Sequence, residues 1–255
     1  MKKCAAALAS TLVLTGCFTT PPESDIGSVR FDNPEVHGQP LNVKMAIGLD
    51  EGQPITISDA SRESDDIDGY ASLEVSLGGG FAAKVQTGKA LKTTLIYQFS
   101  GQHAESAQTG NVSHAITLAY LSDEETGKYF RAADKSYKDD RSDWKLDHDL
   151  IDIAWVSGYR LSPEALLYGS IFYQTGEIDG AYYSSIFTRC DGKHAPECEV
   201  GTFEDDGSAY GLSVSFEYAF TNHFLGSLEL VHSRSNWFDR NEDDTLANVN
   251  LIYQF

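Results

Sequence analysis

The sequence predicts an all-β fold: an antiparallel up-and-down transmembrane β-barrel of about ten strands. Two observations carry the prediction. Segments of about 9 to 11 residues recur in which every second side chain is apolar and those between are polar or small, as in strands with one face in lipid and the other in a lumen. No run of about 18 apolar residues occurs, which excludes an ordinary transmembrane helix. At 255 residues, with 41% hydrophobic content, 13 Tyr, 13 Phe and 3 Trp, the chain is too apolar to be disordered. Its 38 acidic against 19 basic residues give a formal charge of −19. That balance argues against a nucleic-acid partner, because phosphate binding is driven by Lys and Arg. Composition alone would describe an acidic soluble domain, and a barrel hides behind such averages.

At the N-terminus, Lys2 and Lys3 form a basic region and Cys4 to Leu14 a short apolar one, the layout of an export signal too short to span a bilayer. The segment closes in Leu14-Thr15-Gly16-Cys17, which resembles the lipobox of bacterial lipoproteins. The resemblance implies that residues 1–16 are a signal peptide and that Cys17 becomes the first residue, its thiol carrying a covalent lipid that palmitate would label. Small residues before the cysteine let the peptidase reach the backbone. A plain signal peptide containing a cysteine is the alternative. Phe18 stands where Asp would favour inner-membrane retention, so the resemblance points to the outer membrane. Residues 17–40, with Pro21, Pro22, Pro34 and Pro40, then read as a lipidated tether, and residues 41–255 as the barrel. Loss of residues 1–16 removes two lysines and no acid, leaving 38 acidic against 17 basic residues, or −21.

The strands follow in order. Leu41, Val43, Met45, Ile47 and Leu49 form the first apolar face, opposite Asn42, Lys44, Ala46, Gly48 and Asp50. Ala71, Leu73, Val75, Leu77, Gly79, Phe81, Ala83 and Val85 keep one phase and read as a single long strand, with Gly78-Gly79-Gly80 as a bend or close-packed lumen position inside it. Next come Leu91 to Phe99, Ile116 to Tyr120, Ile151 to Tyr159, Leu167 to Tyr173, Leu212 to Phe220 and Gly226 to Leu230. Aromatic residues near the strand ends, among them Tyr97, Phe99, Tyr159, Tyr218 and Phe220, suit an interfacial girdle. The last segment alternates Ala247, Val249, Leu251, Tyr253 and Phe255 with Leu246, Asn248, Asn250, Ile252 and Gln254. Its aromatic end, Leu251, Tyr253 and Phe255, resembles the β-signal of outer-membrane barrels, which implies delivery by the barrel-assembly machinery beside lipoprotein sorting. These segments number nine, whereas both termini on one side require an even count. A turn near Ser122 to Thr126 and a weak strand near Lys128 to Lys135 make ten. Ile26 to Asp32 or Ile55 to Ser58 could contribute a strand instead, so eight and twelve stay open.

On the ten-strand register the outer, extracellular loops are Glu51 to Asp68, Gly101 to Asn111, Ser136 to Asp147, Gly176 to Asp206 and Phe238 to Asp244, and they hold most of the acid. The short connections Thr87 to Ala90, Leu161 to Glu164 and Thr221 to His223 face the other side. Cys190 and Cys198 share the longest loop, and an oxidising compartment favours a local disulfide, contributing about 2 to 3 kcal/mol. A metal site with His194 is the competing idea. Inward Lys44, Lys84, Lys92 and Arg160 balance Glu74, Asp152, Glu217 and Glu229, where an ion channel would show a ring of one sign. Tyr70, Tyr168 and Phe172 are placed to fill a narrow lumen.

Three chemistries deserve a test. Omptin-type proteases use a His-Asp pair with paired acids on the rim; Asp147-His148-Asp149 is superficially similar, with Asp65-Asp66 as conceivable partners. Lipid A deacylases of barrel type carry His-x-Ser-Asn; His232-Ser233-Arg234-Ser235-Asn236 has the Ser-Asn, but with the His one place too early and no Glu on the last strand. An EF-hand at residues 64–75 fails because Ser64 and Val75 occupy the required Asp and Glu positions. No catalytic residue, metal site or cofactor is therefore assigned beyond the lipid on Cys17. Loosely bound divalent cations bridging acidic loops to lipopolysaccharide phosphates are compatible with the composition. The expected function is that of a non-enzymatic outer-membrane lipoprotein barrel with a surface-binding or envelope role, its partners being membrane lipids and lipopolysaccharide. A rim hydrolase and a small passive pore are the alternatives.

Overall fold

Alternating side chains can place one face in lipid and the other in a lumen only if the sheet closes, because an open edge would leave backbone groups unpaired in hydrocarbon. A computed structural model describes residues 24–26, 29–55, 67–131, 140–185 and 199–255 and shows that closure. The strands are β1 (Ser24–Ile26), β2 (Val43–Glu51), β3 (Gln53–Ile55), β4 (Ile67–Gly78), β5 (Phe81–Thr87), β6 (Leu91–Ser100), β7 (Val112–Arg131), β8 (Asp140–Arg160), β9 (Ala165–Ser185), β10 (Glu199–Ala219), β11 (Phe224–Trp237) and β12 (Arg240–Gln254). Ten of them, β2 and β4 to β12, form a closed barrel of antiparallel neighbours, as the sequence predicts. The seam pairs β12 with β2, from Gln254 opposite Lys44 to Val249 opposite Leu49. β1 and β3 form a separate two-stranded sheet, so among the described residues neither Ile26 nor Ile55 belongs to a wall strand.

The predicted apolar faces lie outside. Met45, Ile47, Leu95, Leu118, Ile153, Ile171, Val214, Leu230 and Leu251 are all exposed, forming a continuous apolar belt of a size that soluble proteins do not leave open. Aromatic rings gather at the end that carries Phe255: Phe81 lies 4.4 Å from Tyr97, Phe99 5.1 Å from Trp155, Phe224 5.0 Å from Tyr253 and Tyr253 4.8 Å from Phe255. Rings with one apolar and one wet side suit a membrane interface. Leu251 and Tyr253 fall on the outer face of β12, and Phe255, just past its end, is exposed.

Four expectations change. The segment read as one strand from Ala71 to Val85 is β4 and β5, joined at Gly78-Gly79-Gly80, whose φ angles of 88°, 62° and 85° lie in the left-handed region that glycine enters without a Cβ clash. Alternation concealed this turn, since Leu77 and Phe81 lie four positions apart and both face outward. Second, Ser122 to Thr126 is no turn: β7 runs through it, pairing from Ser122 opposite Asp149 to Thr126 opposite Lys145. The tenth strand thus comes from the glycine turn; Lys128 to Arg131 continue β7, and residues 132–135 lie outside the described residues. In consequence residues 101–111 connect strands at the Phe255 end, and Thr87 to Ala90 turns at the opposite end.

Third, much of the acid assigned to loops stands on strands. β7 to β10 have 20 or 21 residues, about twice what crossing the hydrocarbon requires, so they project past the belt. Asp149, Glu177 and Asp206 stand directly opposite one another across β8, β9 and β10, and Asp147, Asp179 and Glu204 form the next row. Fourth, the supposed tether does not end outside the wall. Val29, Arg30, Phe31, Asp32, Asn33, Glu35 and Val36 are all buried, inside the barrel.

Candidate functional site: the occupied lumen

The chain enters at the end opposite Phe255, where Ile26 pairs with Gln53 just beyond the end of β2. It descends the lumen and turns at the Phe255 end to begin β2. Polar side chains on the wall meet it at each level. Lys92 Nζ donates to the Val29 carbonyl at 3.1 Å. The Arg30 backbone N–H donates to Glu229 Oε2 at 2.9 Å, and its guanidinium pairs with Asp152 while lying 3.2 Å from the centroid of the Phe172 ring. Lys84 binds the Phe31 carbonyl at 3.3 Å and pairs with Asp32. Asn33 Nδ2 donates to Glu217 at 2.9 Å.

Below this level, Glu35 is fully buried and accepts from Arg160 Nε at 2.9 Å, from Arg160 Nη2, and from Asn111 Nδ2 at 2.8 Å. Val36 N–H donates to Gln98 Oε1 at 2.8 Å. Gly38 N–H donates to Glu105 Oε2 at 3.1 Å, and its carbonyl accepts from Gly79 N–H at 3.1 Å. Burial tends to raise the Glu105 carboxyl pKa, but hydrogen bonds from its own and the Gly38 backbone, with His37 and His103 nearby, hold it below the ordinary value.

The expected neutralisation of inward charges therefore occurs, with different partners. Lys44 does pair across the wall with Glu74, at 3.4 Å. Lys84, Arg160, Asp152, Glu217 and Glu229 instead bind the segment Arg30 to Glu35. Buried ion pairs persist only when their remaining hydrogen-bonding groups are also met, and a wall complementary to one peptide meets that demand.

Small wall residues make the room. Gly48 faces Tyr70 across β2 and β4, Gly158 faces Tyr168 across β8 and β9, and Gly211 faces Phe172 across β9 and β10. A Cβ on Gly48 would strike the Tyr70 ring; one on Gly211 would lie 2.7 Å from Phe172; and one on Gly158 would lie 2.7 Å from Pro34 of the lumenal segment. Beside Val29 and Phe31 a cavity of about 30 Å³ remains, bounded by Lys44, Tyr70, Glu74 and Lys84. Such a space holds a water or two. Toward the other end, Leu121, Leu146, Leu150, Ile178 and Trp237 form an apolar cluster with Phe203 and Phe238 against it.

Of the residues tested for chemistry, Asp65, Asp66 and His194 lie outside the described residues, and the described members of each motif fall on opposite faces of one strand. Strand alternation sends His148 inward, buried on the face of Leu146 and Leu150, while Asp147 and Asp149 point out. His232 faces outward, bonded to Thr245 at 3.0 Å, and Ser235 is buried in the lumen. Asp147 and His148 thus lie on opposite faces of β8, and His232 and Ser235 on opposite faces of β11. Among the described residues no group of three or more His, Cys, Asp or Glu side chains is arranged to hold a metal ion. Cys17, Cys190 and Cys198 lie outside the described residues.

Sequence reasoning missed Arg30 to Glu35. The available signal was Val29, Phe31 and Val36 set among charged Arg30, Asp32 and Glu35, more apolar than a spacer needs.

No protein-family model and no curated protein sequence matches the chain. Among solved structures, Ail, the attachment invasion locus protein of Yersinia pestis, in complex with the heparin analogue sucrose octasulfate, aligns with a TM-score of 0.33 at 11% identity over 85% of this chain and 100% of that one. Ail alone gives 0.30 at 12% identity with the same coverage. The outer membrane channel DcaP of Acinetobacter baumannii gives 0.25 at 10%, covering 85% and 96%. Likeness at this level carries no functional argument.

Proposed function

We propose that the chain is a bacterial outer-membrane β-barrel lipoprotein, closed to solutes by its own N-terminal segment, that presents an acidic rim to the exterior for binding or envelope integrity. The observation that carries this reading is the segment Val29 to Gly38, matched group by group by the lumen wall. The apolar belt and aromatic girdle support membrane insertion. The end opposite Phe255 takes the exterior because it carries the projecting strands and the connections 52–66, 132–139 and 186–198, and outer loops are the long ones in such barrels. The lipid belongs on Cys17, and Cys190 with Cys198 brace the connection 186–198. Acidic rows there would meet lipopolysaccharide phosphates through divalent cations.

Planar-bilayer recording tests the closed state. The native barrel is expected to give no conductance steps, and a variant carrying Arg30→Ser, Asp32→Ser and Glu35→Ser to give openings. Steps of equal size and frequency in both would make the chain a pore.

A further inference from the structure

Along β7 the outward side chains run Val112, His114, Ile116, Leu118 and Tyr120, an apolar and aromatic series that His114 alone interrupts. It stands on the lipid-facing wall near the Phe255 end, directly opposite Ser157 of β8. An ionisable group on such a surface is costly, and its presence there points to a function. The wall is built around it. The register of β6 against β7 shifts between Gln98 and Ser100, a bulge in which Phe99 is the extra residue. This bulge lays the Phe99 ring over the imidazole, 6.0 Å between centroids and 15° from parallel. Trp155 completes the cluster, 5.8 Å from His114 and 5.1 Å edge-on to Phe99. On the next strand Gly169 stands opposite Ser157, so the surface steps down beside the hydroxyl where a side chain would otherwise project.

The hydrogen bonds of this cluster have a direction. An indole N–H can only donate, and that of Trp155 donates to Ser157 Oγ at 2.9 Å. The Ser157 hydroxyl lies 2.9 Å from His114 Nδ1, the acceptor within its reach among the described residues, so its proton goes there. A neutral imidazole that accepts at Nδ1 carries its own proton at Nε2. The relay thus leaves Nε2–H as a donor with no protein acceptor among the described residues, at the level of the girdle rings. Lipid headgroups are the neighbours of a barrel at that level, and their phosphodiester oxygens are strong, charged acceptors. Toward the middle of the wall the surface continues as exposed Ile116, Leu118, Ile153 and Ile171, a path for acyl chains. One amphiphile meets both demands.

We propose that His114, Ser157, Trp155 and Phe99 form a binding site for one glycerophospholipid of the leaflet at the Phe255 end, its phosphodiester held by His114 Nε2–H and its chains lying along Ile116 and Ile153. This rests on the membrane insertion proposed above, which puts lipopolysaccharide at the other end of the barrel. His114 touches the ligand, whereas Ser157 and Trp155 are positioning residues that fix which imidazole nitrogen carries the proton.

The test uses the full-length protein in a mild detergent, its closure verified by heat-modifiable gel mobility, and native mass spectrometry of a titration with dioleoyl phosphatidylethanolamine. Dioleoylglycerol supplies the same chains without the phosphate, and inorganic phosphate the anion without the chains. The native protein is expected to retain one phospholipid and neither control. His114→Phe keeps a ring and suits a lipid-facing wall, so it should fold, yet weaken retention about tenfold or more. Ser157→Ala frees the imidazole proton and should weaken retention by less, with gel mobility unchanged. Equal retention by a closed His114→Phe barrel, dioleoylglycerol held as well as the phospholipid, or inorganic phosphate bound in its place would overturn the site while sparing the barrel's place in the membrane. Failure of the native protein to float with vesicles of phosphatidylethanolamine and phosphatidylglycerol would remove the membrane reading, and the site with it.

Discussion

Glu35→Ala tests the occupied lumen most directly. In the native barrel its carboxylate is fully buried and accepts from Arg160 and Asn111. Alanine leaves the largely buried Arg160 guanidinium with the Pro163 carbonyl at 2.9 Å as its remaining acceptor and leaves Asn111 without its carboxylate. Removing one member of a buried ion pair costs about 3–5 kcal/mol, because the other charge stays behind uncompensated. Glu35→Gln keeps shape and one acceptor oxygen but loses the charge, and should cost less, about 1.5–3 kcal/mol, the worth of a hydrogen bond to a charged group. Arg160→Ala combined with Glu35→Ala should cost less than the two single changes together, with a coupling of about 0.5–3 kcal/mol. Urea unfolding from lipid vesicles, followed by tryptophan fluorescence, gives the stabilities, and bilayer recording of the same preparations reports whether the lumen opens. Stability of Glu35→Ala within about 1 kcal/mol of native, or additive single and double changes, would refute the docking of the segment against the wall.

Four further outcomes follow. Ile153→Arg places a cation on the lipid-facing belt and should destabilise by about 2–4 kcal/mol in vesicle unfolding, whereas the same change at Asp149, on the projecting part of β8, should leave insertion intact. Gly48→Val drives a branched side chain into the Tyr70 ring and should cost about 1–3 kcal/mol by overpacking, seen as a lower temperature for the heat-modifiable shift. Glu177→Gln relieves a row of like charges facing one another across β8, β9 and β10 and should raise the thermal midpoint. The Glu105 carboxyl has its pKa depressed in the folded state, so its contribution is present above the unfolded carboxylate pKa and is lost as pH falls through the folded one. Hydrogen exchange at the Gly38 amide should therefore quicken relative to the barrel wall as pH is lowered through the acidic carboxylate range, after correction for intrinsic exchange.

The wall was legible because lipid enforces one rule on every strand: Leu95, Leu118, Ile153 and Leu230 must face out, and period two follows. Turns were less legible where they preserve that phase, as at Gly78 to Gly80, or where a strand continues beyond lipid and the rule lapses, as past Tyr120 on β7. The lumenal segment was least legible. Its residues touch the wall from a chain with no regular period, and Pro34 suggested a spacer. The apparent balance of wall charges also misled: equal numbers of Lys or Arg and Asp or Glu are consistent with pairing across the lumen, and only distance shows that Lys84 and Arg160 spend their charge on Asp32 and Glu35. For the catalytic candidates, adjacency in sequence was the wrong measure, since Asp147 and His148 are neighbours whose side chains diverge to opposite faces of one strand.

The seam between β12 and β2 acquires a role in time as well as in space. Arg30 meets Glu229 across 199 residues of sequence and Asn33 meets Glu217 across 184, contacts that become available only when nearly the whole chain has been made. Such separations make folding slow, and here they also fix its order. Once Gln254 zips onto Lys44 the cylinder has no side entrance, and a chain end carrying the acyl groups proposed above could not be drawn through afterwards. Assembly must therefore wrap the late strands around an early peptide already in place, so that closing the seam is the irreversible step. A barrel that closes without its N-terminal segment inside becomes a kinetic trap, released only by unzipping the seam again.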